Sequence, residues 1–223
     1  MSRGYLLNSW YNYWSSVLIE NLFRRNSKVR PAYGRIKNVD FFVDDFPFDL
    51  KVTYLPKEYA KLIRNRICVD EPLRMLKAYA RNNNIHYADG DVEQIQYELS
   101  ERLRDSGRAD AQNILARIKD GWNAVVTETM RDKHSLIKWL YENQGDMRFG
   151  AENRIFLVLI DMGNPEESWK LKRNVDLIAP KVNDWITRFH RTDAESLLTH
   201  FSFGTKSYAT FADVIFVVKT SIP

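Results

Sequence analysis

Apolar side chains recur at helical spacing from Tyr5 to Arg25. Leu7, Trp10, Trp14, Val17 and Leu18 fall in one stripe with Asn21, and Leu22 extends it. The pattern predicts one amphipathic helix, with the Trp and Tyr residues of Trp10 to Trp14 used for core packing. Between Asn26 and Lys37 the periodicity stops, and Lys28, Arg30, Pro31, Gly34, Arg35 and Lys37 suggest an irregular basic linker. The period then changes to two. Val39 to Val43 reads as a short strand, Asp44 to Pro47 as a turn and Phe48 to Leu55 as a second strand. In the second strand Phe48, Leu50, Val52 and Tyr54 face one way, while Asp49, Lys51 and Thr53 face the other.

Pro56 to Asn143 is mostly helical in pattern. Helices are expected over Lys57 to Arg66, Pro72 to Asn82 with Asp70 as N-cap, Val92 to Arg104 after Asp91, Ala109 to about Met130, and Ser135 to Asn143. Asn82 to Asn84, Gly90 and Ser106-Gly107 are the breaks. Arg154 to Asp161 is a continuous apolar run, as in a central strand buried on both faces. Glu166 to Phe189 reads as helical with an interruption at Pro180, and Asp213 to Lys219 as a second buried strand. A hairpin, then helices, then two more strands imply an α/β fold with a mixed central sheet flanked by helices. We expect a single domain, its core formed by about residues 1–56 and 144–223, with a helical insertion over about 57–143.

Composition narrows the class. With 223 residues, 44% hydrophobic and 28% charged, the chain has globular values and enough length to bury a core without a metal or disulfide staple. Its formal net charge of +4 permits an anionic partner without identifying one. The single cysteine, Cys68, excludes an intramolecular disulfide and a cysteine-based zinc site; within Ile67-Cys68-Val69 it reads as a small buried apolar residue. The N-terminus lacks the apolar stretch of a signal peptide, and no apolar run approaches the roughly 20 residues of a membrane span. The expectation is a soluble, cytoplasmic, prokaryotic protein with no membrane partner and no nucleotide cofactor. No P-loop or dinucleotide fingerprint is present, and His86, His134, His190 and His200 lack metal-ligand spacing.

The segment from Asp40 to Lys51 carries the chemistry. Asp49 and Lys51, two apart on a strand, project from one face. If an even-numbered loop sets Val43 opposite Phe48, Asp40 lies opposite Lys51 and Phe42 opposite Asp49. The three polar side chains then converge within about 5–8 Å, whereas a slip of one residue sends Asp40 to the other face. Two carboxylates and an ammonium suit a hard divalent cation that fills its remaining positions with water and phosphate oxygens. The lysine would position or activate an attacking water and offset transition-state charge. Aspartate is disfavoured inside strands, so Asp49 asks for a reason; an ion pair with Lys51 on a solvated face would be a simpler one. Lys170, Lys172 and Arg173 beside Trp169 read as a solvated face.

Asp40, followed after eight residues by Asp49-Leu50-Lys51, resembles the PD-(D/E)xK motif of restriction-endonuclease-like nucleases, although Val39 stands where that motif has proline. The resemblance extends to a carboxylate on the preceding helix, Glu20 in Val17-Leu18-Ile19-Glu20-Asn21. It implies an αβββαβ core and a Mg²⁺-dependent DNA endonuclease, with Mn²⁺ substituting. Asp40 and Asp49 would bind metal, Lys51 would serve the attacking water, and Glu20 would add a further contact at or behind the metal. Arg30, Arg35 and Lys37 would contact DNA phosphates. A stand-alone chain of this size resembles Type II restriction enzymes, which implies a defence role and a homodimer. The alternatives are a structure-specific nuclease of repair or recombination, and an inactive DNA-binding or defence-accessory protein of the same fold.

Overall fold

Six strands form a mixed sheet: β1 (Val29–Pro31), β2 (Phe41–Val43), β3 (Phe46–Tyr54), β4 (Arg154–Asp161), β5 (Leu198–Phe203) and β6 (Lys206–Lys219). They lie in the order β1-β2-β3-β4-β6-β5. β3 with β4 and β4 with β6 are parallel, and the other neighbours are antiparallel. The computed structural model describes residues 3–33, 38–143 and 152–220, with side chains from residue 14 onward. β4 is buried along its whole length, as its apolar run predicts for a strand covered on both faces.

Helices α1 (Arg3–Arg24) and α7 (Val175–Arg188) share one core with the sheet. Ile19, Leu22 and Phe23 of α1 and Ile178, Val182, Trp185 and Ile186 of α7 join Phe41, Phe48, Leu50, Ile155, Leu157 and Ile215 there. Alternation along β4 turns Phe156 to the opposite face, where Tyr141 of α6 (Lys133–Glu142) meets it edge-on at 5.4 Å. Asp213 ties both helical layers to β6. Its carboxylate accepts from Lys133 Nζ at 2.6 Å and from Trp185 Nε1 at 2.9 Å.

Several expectations need correction. The packed face of α1 runs through Ser15, Ile19, Leu22 and Phe23, while Trp14 and Leu18 are exposed; a helix this apolar offers two stripes, and the tertiary partner selects between them. Leu7 and Trp10 lie outside the described side chains. The supposed linker contains β1, which pairs Val29 with Val43. Pro180 does not interrupt α7; the break lies before Asn174, which ends a 3-10 segment at Pro165–Arg173 and caps α7 by accepting from Leu177 N–H. Lys172 in that segment is buried, and burial pushes its ammonium below the ordinary lysine range. The last strand extends back to Lys206 and forms a hairpin with β5, whose polar alternation concealed it. No helix among the described residues is long and apolar enough to cross a membrane.

The chain divides into two compact units, residues 1–55 with 132–223, and residues 56–131. The helical unit therefore ends at Arg131, and α6 belongs with the sheet rather than with the insertion as expected. The helical unit comprises α2 (Lys57–Arg66), α3 (Pro72–Asn82), α4 (Val92–Asp105) and α5 (Ala109–Arg131). Leu76, Ala80, Leu99, Leu103 and Ala111 form a core of its own. Asp91 caps α4 by accepting from Gln94 N–H, whereas α3 starts from Glu71 rather than Asp70 and has no side-chain cap.

Cys68 is exposed, contrary to its apolar neighbours' implication. It follows α2 with φ of 55°, donates its N–H to Asn65 O at 3.2 Å, and is followed by Val69 donating to Arg64 O at 3.0 Å. This is the left-handed helix stop that α3 makes with Asn84 and α4 with Gly107. The structural demand at position 68 is thus for a residue that tolerates positive φ. Cys68→Gly is expected to stabilise the protein by about 0.5–1 kcal/mol, read as a higher melting temperature. A water-soluble disulfide reagent should also label the wild-type thiol without denaturant; protection of the thiol would contradict its exposure.

Candidate active site

Asp44 and Asp45 both adopt positive φ, 49° and 64°, and close a two-residue turn between β2 and β3. Aspartate tolerates this conformation, so the hairpin is tighter than expected: Val43 faces Phe46 and Phe41 faces Phe48. The register therefore differs by two residues from the one in which Asp40 met Lys51. Continuing the ladder by one position sets Asp40 across from Asp49, and the Asp40 N–H donates to Phe48 O at 2.9 Å. A two-residue shift preserves which face each side chain takes, so Asp40, Asp49 and Lys51 remain on one side of the sheet.

β2 ends at Phe41, which leaves the Leu50 N–H on that edge without a ladder partner. The Asp40 carboxylate accepts it at 2.8 Å. Asp49 is almost wholly buried. One of its carboxylate oxygens accepts from Lys51 Nζ at 2.9 Å and the other from Arg154 Nε at 2.7 Å. Lys51 keeps about a third of its side chain exposed, so its ammonium faces both the acid and solvent.

Glu20 completes the group from α1. It accepts from Arg24 one turn on, at 3.1 Å. Burial pushes its carboxyl above the ordinary range, nearby Asp40 and Asp49 add to the rise, and Arg24 and Lys51 oppose it. Asp40 is raised as well, by burial first and by Asp49 next, against the Leu50 amide, Lys51 and Arg24. The charges of Asp49 and Lys51 act on both Glu20 and Asp40, which places the four side chains in one electrostatic neighbourhood.

Of the residues expected to contact DNA, Arg30 lies on β1, largely exposed, and its guanidinium pairs with Asp45 at the hairpin turn. Arg35 and Lys37 lie outside the described residues. Arg154 and Glu152 are the members of the group that the sequence did not offer. Their only local signal is a charged pair opening an otherwise apolar run, and their partner is set by the parallel pairing that aligns Arg154 with Asp49.

Among the described residues no three His, Cys, Asp or Glu side chains are grouped to hold a metal ion. The donor set nevertheless fits a hard cation of the kind that takes one or two carboxylates and keeps its waters. Asp40 receives only the Leu50 amide among the described residues, and Glu20 only Arg24. Both are carboxylates whose charge is under-compensated where they stand, which a divalent cation would relieve. No family model, curated protein or solved structure matches the chain.

Proposed function

We propose that the sheet unit is a Mg²⁺-dependent DNA endonuclease with a restriction-endonuclease-like site. The observation that carries this reading is the juxtaposition of Asp40, Asp49 and Lys51 on one side of a hairpin, with Glu20 brought to them by the preceding helix. The element order of the sheet unit supports it: α1, β1, β2 and β3 and then, once the helical unit α2–α5 is set aside, α6 and β4 match the αβββαβ sequence that the motif implies. Asp40, with Asp49 and Glu20 beside it, supplies anionic oxygens for the cation. A cation held there would supply Lewis-acid polarisation of the scissile phosphate and of a water beside it. Lys51 supplies a partly solvated ammonium that can orient the attacking water and offset charge building on the phosphate. The acidic group has the wrong sign for gripping DNA and the right one for holding a metal against it.

Incubating the protein with supercoiled plasmid and with branched duplexes tests the assignment. Cleavage is expected with Mg²⁺ or Mn²⁺ and none with a chelator. Discrete fragments from linear DNA would indicate a restriction enzyme, and cutting confined to junctions or flaps a repair nuclease. Binding of duplex without any cleavage under these conditions would overturn the enzymatic reading in favour of a DNA-binding protein.

A further inference from the structure

We propose that Arg154 is a positioning residue of this site, setting the orientation of Asp49 and, through Glu152, the start of the segment that carries Asp40. The inference rests on the nuclease reading and adds a residue that the motif does not contain. Arg154 is among the most deeply buried charges of the chain, with 1% of its side chain exposed. A guanidinium in such a place is tolerated only when paired and hydrogen-bonded. Its Nε donates to Asp49 at 2.7 Å and its Nη2 to Glu152 at 3.1 Å, while its Cζ lies over the Tyr141 ring, 5.1 Å from the centroid. Lysine, with a single point of charge, cannot reproduce that fork.

The geometry has two consequences for the site. Arg154 occupies one oxygen of Asp49, so the other is turned to Lys51 and the carboxylate plane is fixed between two cations on different strands. With Arg154 carrying part of the compensation of Asp49, Lys51 is not the sole counter-charge of a buried acid, and about a third of its side chain stays exposed to solvent. On the other side, Glu152 also accepts from the side chain of Asn38. Asn38 has φ of 64° and stands two residues before Asp40, so the same guanidinium anchors the approach to the second acid. A chain of polar contacts, Asn38–Glu152–Arg154–Asp49–Lys51, thus runs from the exposed Asn38 through the buried Arg154 and Asp49 to the partly exposed Lys51.

Arg154→Lys tests this in the full-length protein. The expected result is a kcat lowered by about 10–100-fold with KM for DNA unchanged, since Arg154 does not touch substrate. The Mg²⁺ concentration giving half of the Mg²⁺-induced rise in melting temperature should increase by about tenfold, a readout that needs no turnover. If Arg154→Lys does not fold, Glu152→Gln decides: it keeps the Asp49 contact and weakens the outer arm, and a severalfold lower kcat at unchanged KM is expected. A folded Arg154→Lys, or failing that a Glu152→Gln, with wild-type kcat and Mg²⁺ response overturns the positioning role while the nuclease reading stands. A wild type without Mg²⁺-dependent cleavage overturns both.

Discussion

Asp40→Asn is expected to lower Mg²⁺-dependent DNA cleavage by about 10³-fold while raising the melting temperature of the metal-free protein. The two effects have one cause. Burial and the neighbouring Asp49 push the Asp40 carboxyl upward. A carboxyl raised in the folded state favours folding while it is protonated, and that contribution is lost as pH rises through its folded pKa. Near neutrality the ionised Asp40 therefore works against the fold, and asparagine removes the charge while its carbonyl oxygen can still accept the Leu50 N–H. The stability gain should shrink as pH falls into the range where wild-type Asp40 is itself protonated. Activity moves the other way, because a neutral amide is a poor partner for Mg²⁺, and a loss of about 4 kcal/mol of transition-state stabilisation corresponds to about 10³-fold. Thermal melts with and without Mg²⁺ separate the two. Excess Mg²⁺ should stabilise the wild type through mass action, by about 2.7 kcal/mol at a concentration one hundred times Kd, and so raise its melting temperature, and should raise that of the variant far less. A variant that cuts like the wild type, or that melts lower, removes Asp40 from the metal-binding role.

The same residues show what could be read from the chain alone. Alternation from Phe48 to Tyr54 assigned Asp49 and Lys51 to one face, and side-chain parity is robust to an error of two residues in register. The tightness of the hairpin was not legible, because two consecutive aspartates in the left-handed region have no obligatory signature and Pro47 looked like part of the turn. Pro47 instead sits within β3 opposite Phe42. Helices α2 to α5 were legible from period and caps, within a residue or two of their ends. β1 and β5 were not, since three residues beside a proline and a polar Thr-His-Phe-Ser stretch become strands only through the neighbours they pair with. Arg154 belongs to that second category. Its charge was visible, but its meaning lies in a contact 105 residues away in sequence.

Phe48→Ala is expected to destabilise the protein by about 3–5 kcal/mol, lowering its melting temperature by roughly 6–20 °C. Phe48 is wholly buried. Its ring meets Trp185 edge-on at 5.6 Å and Phe189 at 5.4 Å, and it lies 5.2 Å from Phe46. Trp185 and Phe189 are themselves stacked at 5.2 Å. These rings join α7 to the sheet beside the residue pair Phe41 and Phe48, the paired residues of the β2–β3 hairpin furthest from its turn. Truncation leaves a cavity bounded by rigid rings that cannot collapse into it, which places the cost at the upper part of the range for core deletions. Phe48→Leu refills much of that volume and should lose less than half as much. Because Asp49 and Lys51 alternate with Phe48 on β3, the ordering of the site depends on the packing of the opposite face. Measured below the melting transition, Phe48→Ala should therefore lower kcat by more than Phe48→Leu does, with KM for DNA unchanged. Equal and small stability losses for the two variants would mean that the α7 layer does not pack against β3 as described.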